Sequence, residues 1–393
     1  MITLYPHQQQ SLELTKDKTR TAFYLDMGLG KTFIASEKAK ELNKPVLVVC
    51  QKSKIKDWTA HFRNHYQLPV AVINYDLIWR RQEYLQWRDY TLILDESSLI
   101  KSEMAKRTKY ILALKPTNVI LLSGTPTGGK YEELWSQCRL LGWNISKKLF
   151  YDHYILTETI DAGGFPITKV IGYRNVDRLK HKLRQHGAIF MKTEEVFTLP
   201  EQVDIETTVA PTKEYRQFQR DRYLTIQQTE LIGDTSLKQL LYERQLCGQY
   251  NKNKIAALQD LLHSTNSRVV IFYNFTAEFE LIKALTDRPI SFINGSGTDL
   301  ANYENCPDSI TLVQYQAGAM GHNLERSNVI VYFTLPLSSE LFDQSRKRIH
   351  RIGQTKTCFY YYLLTEKSVE EKILHVLKQR RDYTDALFKE AGR

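Results

Sequence analysis

Cysteine is scarce in this chain. Five occur among 393 residues, at positions 50, 138, 247, 306 and 358, and no two form a C-x-x-C pair. That scatter excludes the closely spaced ligand sets of structural zinc and offers no disulfide framework; it suits a reducing compartment. Long apolar runs are also missing, and none approaches the roughly 20 residues a membrane helix needs. The first residues, Met1-Ile-Thr-Leu-Tyr-Pro6, lack the basic-then-apolar form of a secretory signal. Low-complexity tracts and internal repeats are absent. Hydrophobic residues at 42% and charged residues at 25% suit a globular protein, and 393 residues exceed a single core, so two domains are expected. Lys and Arg number 54 against 44 Asp and Glu, a net charge of +10. The excess favours a polyanionic partner, although charge alone equally serves solubility.

Against these absences, two distant segments stand out. Thr21-Ala-Phe-Tyr-Leu25 reads as a buried strand, Gly28 and Gly30 follow, and Lys31 to Leu42 has helical periodicity. Strand, glycine turn and helix start form a phosphate cradle, with backbone N–H groups and the helix N-terminus facing the anion. Lys31 is placed to reach the β- and γ-phosphates, and the Thr32 hydroxyl to hold Mg²⁺. The full pattern asks for glycine at position 25, where this chain has Leu25. A second short apolar run, Asp89-Tyr-Thr-Leu-Ile-Leu94, ends in Asp95-Glu96. Carboxyl ends of parallel strands face the ligand crevice, which puts Asp95 near the metal and Glu96 near an attacking water. Near the other end, Gln344 to Arg351 offers Arg348 and Arg351, three residues apart, as charges a second domain could deliver to a nucleotide. The periodicity predicts one helix carrying both on one face.

Strand-like runs at 46–50, 70–74, 92–94 and 119–122 alternate with helical stretches, the pattern of a doubly wound parallel sheet. Residues 151–173 read as an aromatic, β-prone segment with a hairpin turn at Ala162-Gly163-Gly164, and Val176 to Gln185 as a basic amphipathic helix. Residues 212–248 read as helical. Runs at 268–273, 290–293, 310–313, 329–333 and 359–364 predict a second parallel sheet, and Ser368 to Lys389 a closing helix. The expected domains are 1–205, with an insertion at about 144–190, and 206–393, with a helical insertion at about 212–250 and a C-terminal helix. Tyr360 to Tyr362 read as strand residues and Trp58 as core.

Taken in order along the chain, these segments resemble the Snf2-type ATPases of helicase superfamily 2. The resemblance rests on Leu4-Tyr-Pro-His-Gln8, Met27 to Thr32, Val48 to Trp58, Ile73 to Leu77, Asp95-Glu-Ser-Ser-Leu-Ile-Lys101, Leu122-Ser-Gly-Thr-Pro126 with Glu133-Leu-Trp135, Phe190 to Val196, Val270 to Phe275, Gln316 to Leu324 and Gln344 to Gln354. It departs at Ser98, where the family has histidine, at Thr127-Gly-Gly-Lys130, which replaces an amide-rich turn, and between Ser296 and Ile310, where the chain is shorter. It looks like the compact members of phages and bacteria.

That resemblance implies an α/β fold of two tandem RecA-like parallel-sheet domains with helical and hairpin insertions. It implies ATP and Mg²⁺ as cofactors. Gln8, Gly28, Gly30, Lys31, Thr32 and Gly321 are expected to bind nucleotide, and Thr32 and Asp95 the metal. Glu96, Arg348 and Arg351 are expected to be catalytic, with Lys54, Ser123, Thr125 and Gln316 at nucleic acid. The implied activity is a DNA-stimulated motor that translocates on duplex DNA, remodelling it or displacing bound protein. Double-stranded or branched DNA and replication or recombination proteins are the expected partners, in the cytoplasm of a bacterial host or phage-infected cell. No membrane association or oligomer is indicated. A strand-separating DNA or RNA helicase, with the hairpin as a wedge, and an ATP-gated DNA clamp with little turnover remain alternatives.

Overall fold

The computed structural model describes residues 3–161, 163, 165–318 and 322–388. By their contacts these residues divide into two units: those up to Phe197 together with those from Arg380 onward, and Thr198–Gln379.

The first unit is built on β1 (Arg20–Leu25), β2 (Val46–Cys50), β3 (Val70–Asn74), β4 (Thr91–Asp95) and β5 (Asn118–Ser123). β6 (Ile155–Asp161) and β7 (Pro166–Tyr173) form a separate antiparallel hairpin, and β8 (Ala188–Met191) returns to the sheet. The sheet order is β3-β2-β4-β5-β1-β8, parallel throughout. Val46-Leu-Val-Val-Cys50 is buried at every position, as a strand covered by helices on both faces must be. This order matters for function. Strands β4, β5 and β1 are neighbours, with Tyr24 opposite Ser123 and Asp95 opposite Leu122. Three loops far apart in sequence therefore emerge side by side at the carboxyl edge.

The stretch expected as β-prone from residue 151 begins instead as a helix, Lys147–Tyr154. Ser146 caps it by accepting the Leu149 N–H at 3.2 Å, and Phe150 and Tyr154, one turn apart, bury a common face. The hairpin and the helix Val176–Gln185 then occur as expected; Ala162 and Gly164 lie outside the described residues.

The second unit contains β9 (Gln202–Val209), the small hairpin β10 (Tyr223–Ile226) and β11 (Thr229–Ile232), then β12 (Val269–Tyr273), β13 (Ile290–Asn294), β14 (Gly297–Asp299), β15 (Ile310–Gln314), β16 (Val329–Tyr332) and β17 (Cys358–Thr365). Its sheet runs β14-β13-β15-β12-β16-β17-β9. The boundary expected at 205/206 falls inside β9, which pairs in parallel with β17 over eight residues. Gln-Val-Asp-Ile-Glu-Thr-Thr-Val alternates exposed and half-buried positions, so it carries no apolar run to announce a strand. The supposedly helical 212–248 segment is interrupted by β10–β11. Its turn uses Gln227 and Gln228 at φ 48° and 64°, a mirror-type turn without the usual Asn-Gly signature.

The chain passes between units twice, at Phe197/Thr198 and within the helix Val369–Phe388, whose residues group with the first unit from Arg380. That helix is anchored in the second unit by a buried ion pair. Lys254 Nζ lies 2.6 Å from both Glu370 carboxylate oxygens and donates to Phe333 O at 3.0 Å.

Glu278 supplies a pH signature. Its carboxyl accepts the N–H groups of Asn274 and Phe275 and the Thr334 hydroxyl, while Oε1 has no hydrogen-bond partner. Burial raises its pKa from 4.5 to about 7 against the pull of those hydrogen bonds. Below the unfolded value both states hold the proton. As pH rises towards 7 the unfolded chain ionises and the folded one does not, so stability falls across that window, by about 3 kcal/mol in all. Urea unfolding of wild type is expected to show this loss between pH 5 and 8, and Glu278→Gln to flatten it. An equal pH slope in both proteins would refute the assignment.

Candidate active site

The phosphate loop follows β1 directly. Leu25, in the place of the missing glycine, is fully buried in the sheet core, so its side chain leaves the loop clear. Its carbonyl is used: Lys31 Nζ donates to Leu25 O at 2.8 Å and to Asp26 O at 3.1 Å, which holds the ammonium at the loop. Gly30 has φ 73°, and a Cβ there would stand 2.2 Å from Gln8 Nε2. Glycine is thus needed for conformation and for space. Gln8 accepts the Tyr5 N–H at 2.9 Å and donates to Leu29 O at 3.2 Å, tying the N-terminal helix to the loop. The amide retains one N–H and one lone pair for a base.

At the end of β4, Asp95 Oδ2 accepts the indole N–H of Trp58 at 2.8 Å. Trp58 is buried, as expected of a core residue, and also aims this carboxylate. Desolvation raises the Asp95 pKa, opposed by the Trp58 bond and the charges of Lys31 and Lys54. Such a carboxylate gains by acquiring a cation. Glu96 adopts the left-handed conformation at φ 56°. Tyr75 OH donates to Asp95 O at 3.0 Å, bracing the turn.

The loop after β5 closes the group. Ser123 Oγ lies 3.5 Å from Glu96 Oε2 and accepts the Thr125 N–H at 3.1 Å. A Cβ on Gly124 would stand 3.5 Å from Lys31 Nζ and 3.5 Å from Leu25 O, so this loop leans on the phosphate loop. Gln137, fully buried, accepts from Ser97 Oγ at 2.8 Å and Tyr24 OH at 2.9 Å, and donates to Pro126 O at 2.8 Å. The glycine turn that follows also has a structural cause. Arg380 of the closing helix packs so near Gly129 that a Cβ would meet its carbonyl at 2.3 Å.

In the second unit the arginine segment departs from expectation. The helix Ser339–Arg346 ends before Arg348, and residues 347–353 form turns. Arg346 is its last residue. It pairs with Asp204 Oδ1 at 2.6 Å, bonds Gln202 at 3.2 Å and lies 3.8 Å over the Tyr360 ring. Ile349 turns into the core. Gln354 locks the turns by donating to Glu325 O at 3.0 Å and Ser327 O at 2.8 Å. Arg348 is buried, with Nη1 3.4 Å from His322 O, while Arg351 is half-buried and its pKa is lowered by desolvation.

The fold thus gathers Gly28, Gly30, Lys31, Thr32, Asp95, Glu96, Ser123 and Thr125 beyond adjacent strand ends of one sheet, with Gln8 joined to them from the N-terminal helix through Leu29. Ser123 and Thr125, expected at nucleic acid, are buried there, whereas Lys54 is part-exposed and Gln316 exposed. Gly321 lies outside the described residues. Sequence reasoning missed the roles of Gln137 and Asp204, which carry no local motif, of Tyr75, whose segment was noted without a role for its hydroxyl, and of Trp58 as a carboxylate partner. No group of three or more His, Cys, Asp or Glu able to hold a metal occurs among the described residues. Among the described residues no helix is long and apolar enough to cross a membrane.

Comparison with known proteins identifies relatives of the chain as a whole. Residues 67–252 match the SNF2-related domain and residues 253–353 the helicase conserved C-terminal domain. YwqA of Bacillus subtilis (strain 168), a candidate ATP-dependent helicase/translocase, is 24% identical over 432 residues, covering 92% of this chain and 46% of the relative. "Probable ATP-dependent DNA helicase CHR23" of Arabidopsis thaliana is 24% identical over 429 residues, covering 90% and 40%. The chain therefore spans less than half the length of these relatives. The Sulfolobus solfataricus SWI2/SNF2 ATPase core in complex with dsDNA aligns over 98% of this chain and 92% of that one, at 19% identity and a TM-score of 0.45. Two consecutive family models over more than half of the sequence establish that the chain belongs to the Snf2-type ATPases of helicase superfamily 2.

Proposed function

We propose that this chain is a DNA-stimulated ATPase that translocates on duplex DNA and uses the motion to remodel DNA or displace bound protein. One observation carries the reading: the Ser123–Pro126 loop touches both halves of the hydrolytic group, Glu96 through Ser123 and the Lys31 neighbourhood through Gly124. Any displacement of that loop by a bound duplex would be felt at the carboxylate that orients water. The net charge of +10 and the relatives' names support a DNA partner.

In this mechanism Lys31 offsets phosphate charge, and Gln8 orients the nucleotide through its base. Glu96 holds the attacking water and draws its proton, while Arg348 and Arg351 stabilise negative charge on the transferring phosphoryl group. Thr32 and Asp95 would hold Mg²⁺, which supplies charge neutralisation on the phosphates when bound. Lys54 and Gln316 contact the DNA backbone, which positions a duplex without reading its sequence.

The hairpin gives the wedge alternative little electrostatic support. Glu158 and Asp161 outnumber Lys169 on its strands. Phosphate release should rise at least about tenfold with blunt duplex DNA, with single strands and RNA less effective, and the stimulation should weaken with salt. Triplex displacement without strand separation is the expected motor readout. Turnover indifferent to nucleic acid would overturn the proposal, and robust unwinding from a single-stranded tail would favour the helicase reading.

A further inference from the structure

We infer that Gln137 is a positioning residue for hydrolysis: its buried amide locks the Asp95–Glu96 turn to the Ser123–Pro126 loop and to the strand that enters the phosphate loop. The inference rests on the proposed role of Glu96. Gln137 has no solvent access, and each of its three hydrogen bonds leads to a different piece of the hydrolytic group. Ser97, which donates at 2.8 Å, is the residue after Glu96. Pro126, whose carbonyl accepts at 2.8 Å, closes the loop that begins at Ser123. Tyr24, which donates at 2.9 Å, precedes Leu25, whose carbonyl holds Lys31.

Glu96 gains a particular benefit from this clamp. It sits in the left-handed region, which a non-glycine residue adopts only when its surroundings over-determine it. Ser97 contributes to that constraint through its hydroxyl, beside the Tyr75 hydroxyl that braces the turn from the other end. The direct link from Ser123 to Glu96, at 3.5 Å, is long for a hydrogen bond. The bonds through Gln137 are short and shielded from water, so they define the spacing between turn and loop. A serine at 97 and an amide at 137 are thus a matched pair, with the Glu96 carboxylate held by backbone geometry from behind.

The decisive variant is Ser97→Ala, which removes one hydroxyl and leaves Gln137 bonded to Tyr24 and Pro126. Steady-state phosphate release with duplex DNA is expected to show kcat lowered between about tenfold and a hundredfold, as for a reacting group displaced by a fraction of an ångström to an ångström. The Kd for a fluorescent ATP analogue should stay at its wild-type value. Gln137→Met, of similar volume, should lower kcat at least as much. The double variant should be no slower than Gln137→Met alone, because both act through one connection. Wild-type kcat in Ser97→Ala, a parallel loss of nucleotide binding, or full additivity in the double variant would each overturn the inference. Glu96→Gln is measured alongside. If it hydrolyses ATP normally, the role proposed for Glu96 fails and this inference with it; if it is inactive while Ser97→Ala is normal, only the positioning role fails.

Discussion

Lys31→Ala is expected to cripple ATP hydrolysis, lowering kcat by about a hundredfold to a thousandfold, while the protein stays folded. A fixed positive charge at the site of phosphoryl transfer acts where water is largely excluded, and loss of one such donor costs about a hundredfold to a thousandfold. In the proposed mechanism Lys31 also supports ground-state phosphate binding, so nucleotide affinity should drop with turnover. The structural cost is small. The half-buried Lys31 donates to two backbone carbonyls, Leu25 O and Asp26 O, and losing such bonds costs about 1 kcal/mol each. Thermal unfolding should shift by only a few degrees. Phosphate release and melting measured on the same preparation decide the matter. Hydrolysis above a tenth of wild type would remove Lys31 from the chemistry.

The second large effect belongs to Arg351. Arg351→Ala should lower kcat by about a thousandfold or more, the range of an arginine that stabilises phosphoryl charge, with nucleotide binding retained. Arg351→Lys should recover little, since an ammonium lacks the planar fork of a guanidinium. Arg346→Ala provides the contrast. Its buried guanidinium bonds the part-exposed Asp204 and Gln202 and stacks on Tyr360, so truncation loses those bonds and that packing and should cost about 1–3 kcal/mol of stability. Two arginines five residues apart thus serve rate and fold separately. A folded, fully active Arg351→Ala would end the motor reading, because Arg346 and Arg348, the other arginines of that segment, are buried.

Apolar strands made much of the fold legible. Val46–Cys50, Thr91–Leu94 and Val269–Tyr273 are continuous runs because both faces of a parallel sheet are covered. Edge and insertion strands were harder to read. β9 is half polar because it is an edge strand with an exposed alternate face, and β10–β11 turns on two glutamines that carry no turn signature. The arginine segment has helical spacing beyond Arg346, yet the helix ends there, with that residue held by Asp204 and Tyr360 and Ile349 turned inward. Such long-range partners are invisible in a single sequence.

Local chemistry, then, was written in the chain itself: glycines before a lysine at a helix start and an acidic pair after an apolar strand, each set by short-range stereochemistry that adjacent residues specify, and the spacing of the arginines, though not their conformation. Tertiary structure alone decided which of these meet. The β4-β5-β1 strand order brings residues 25, 95 and 123 to one edge, Trp58 is turned onto Asp95, and Gln137 is enclosed among Tyr24, Ser97 and Pro126. The reason is that a buried amide or indole N–H must find a partner wherever packing leaves it, and that partner is set by the fold and not by distance along the chain.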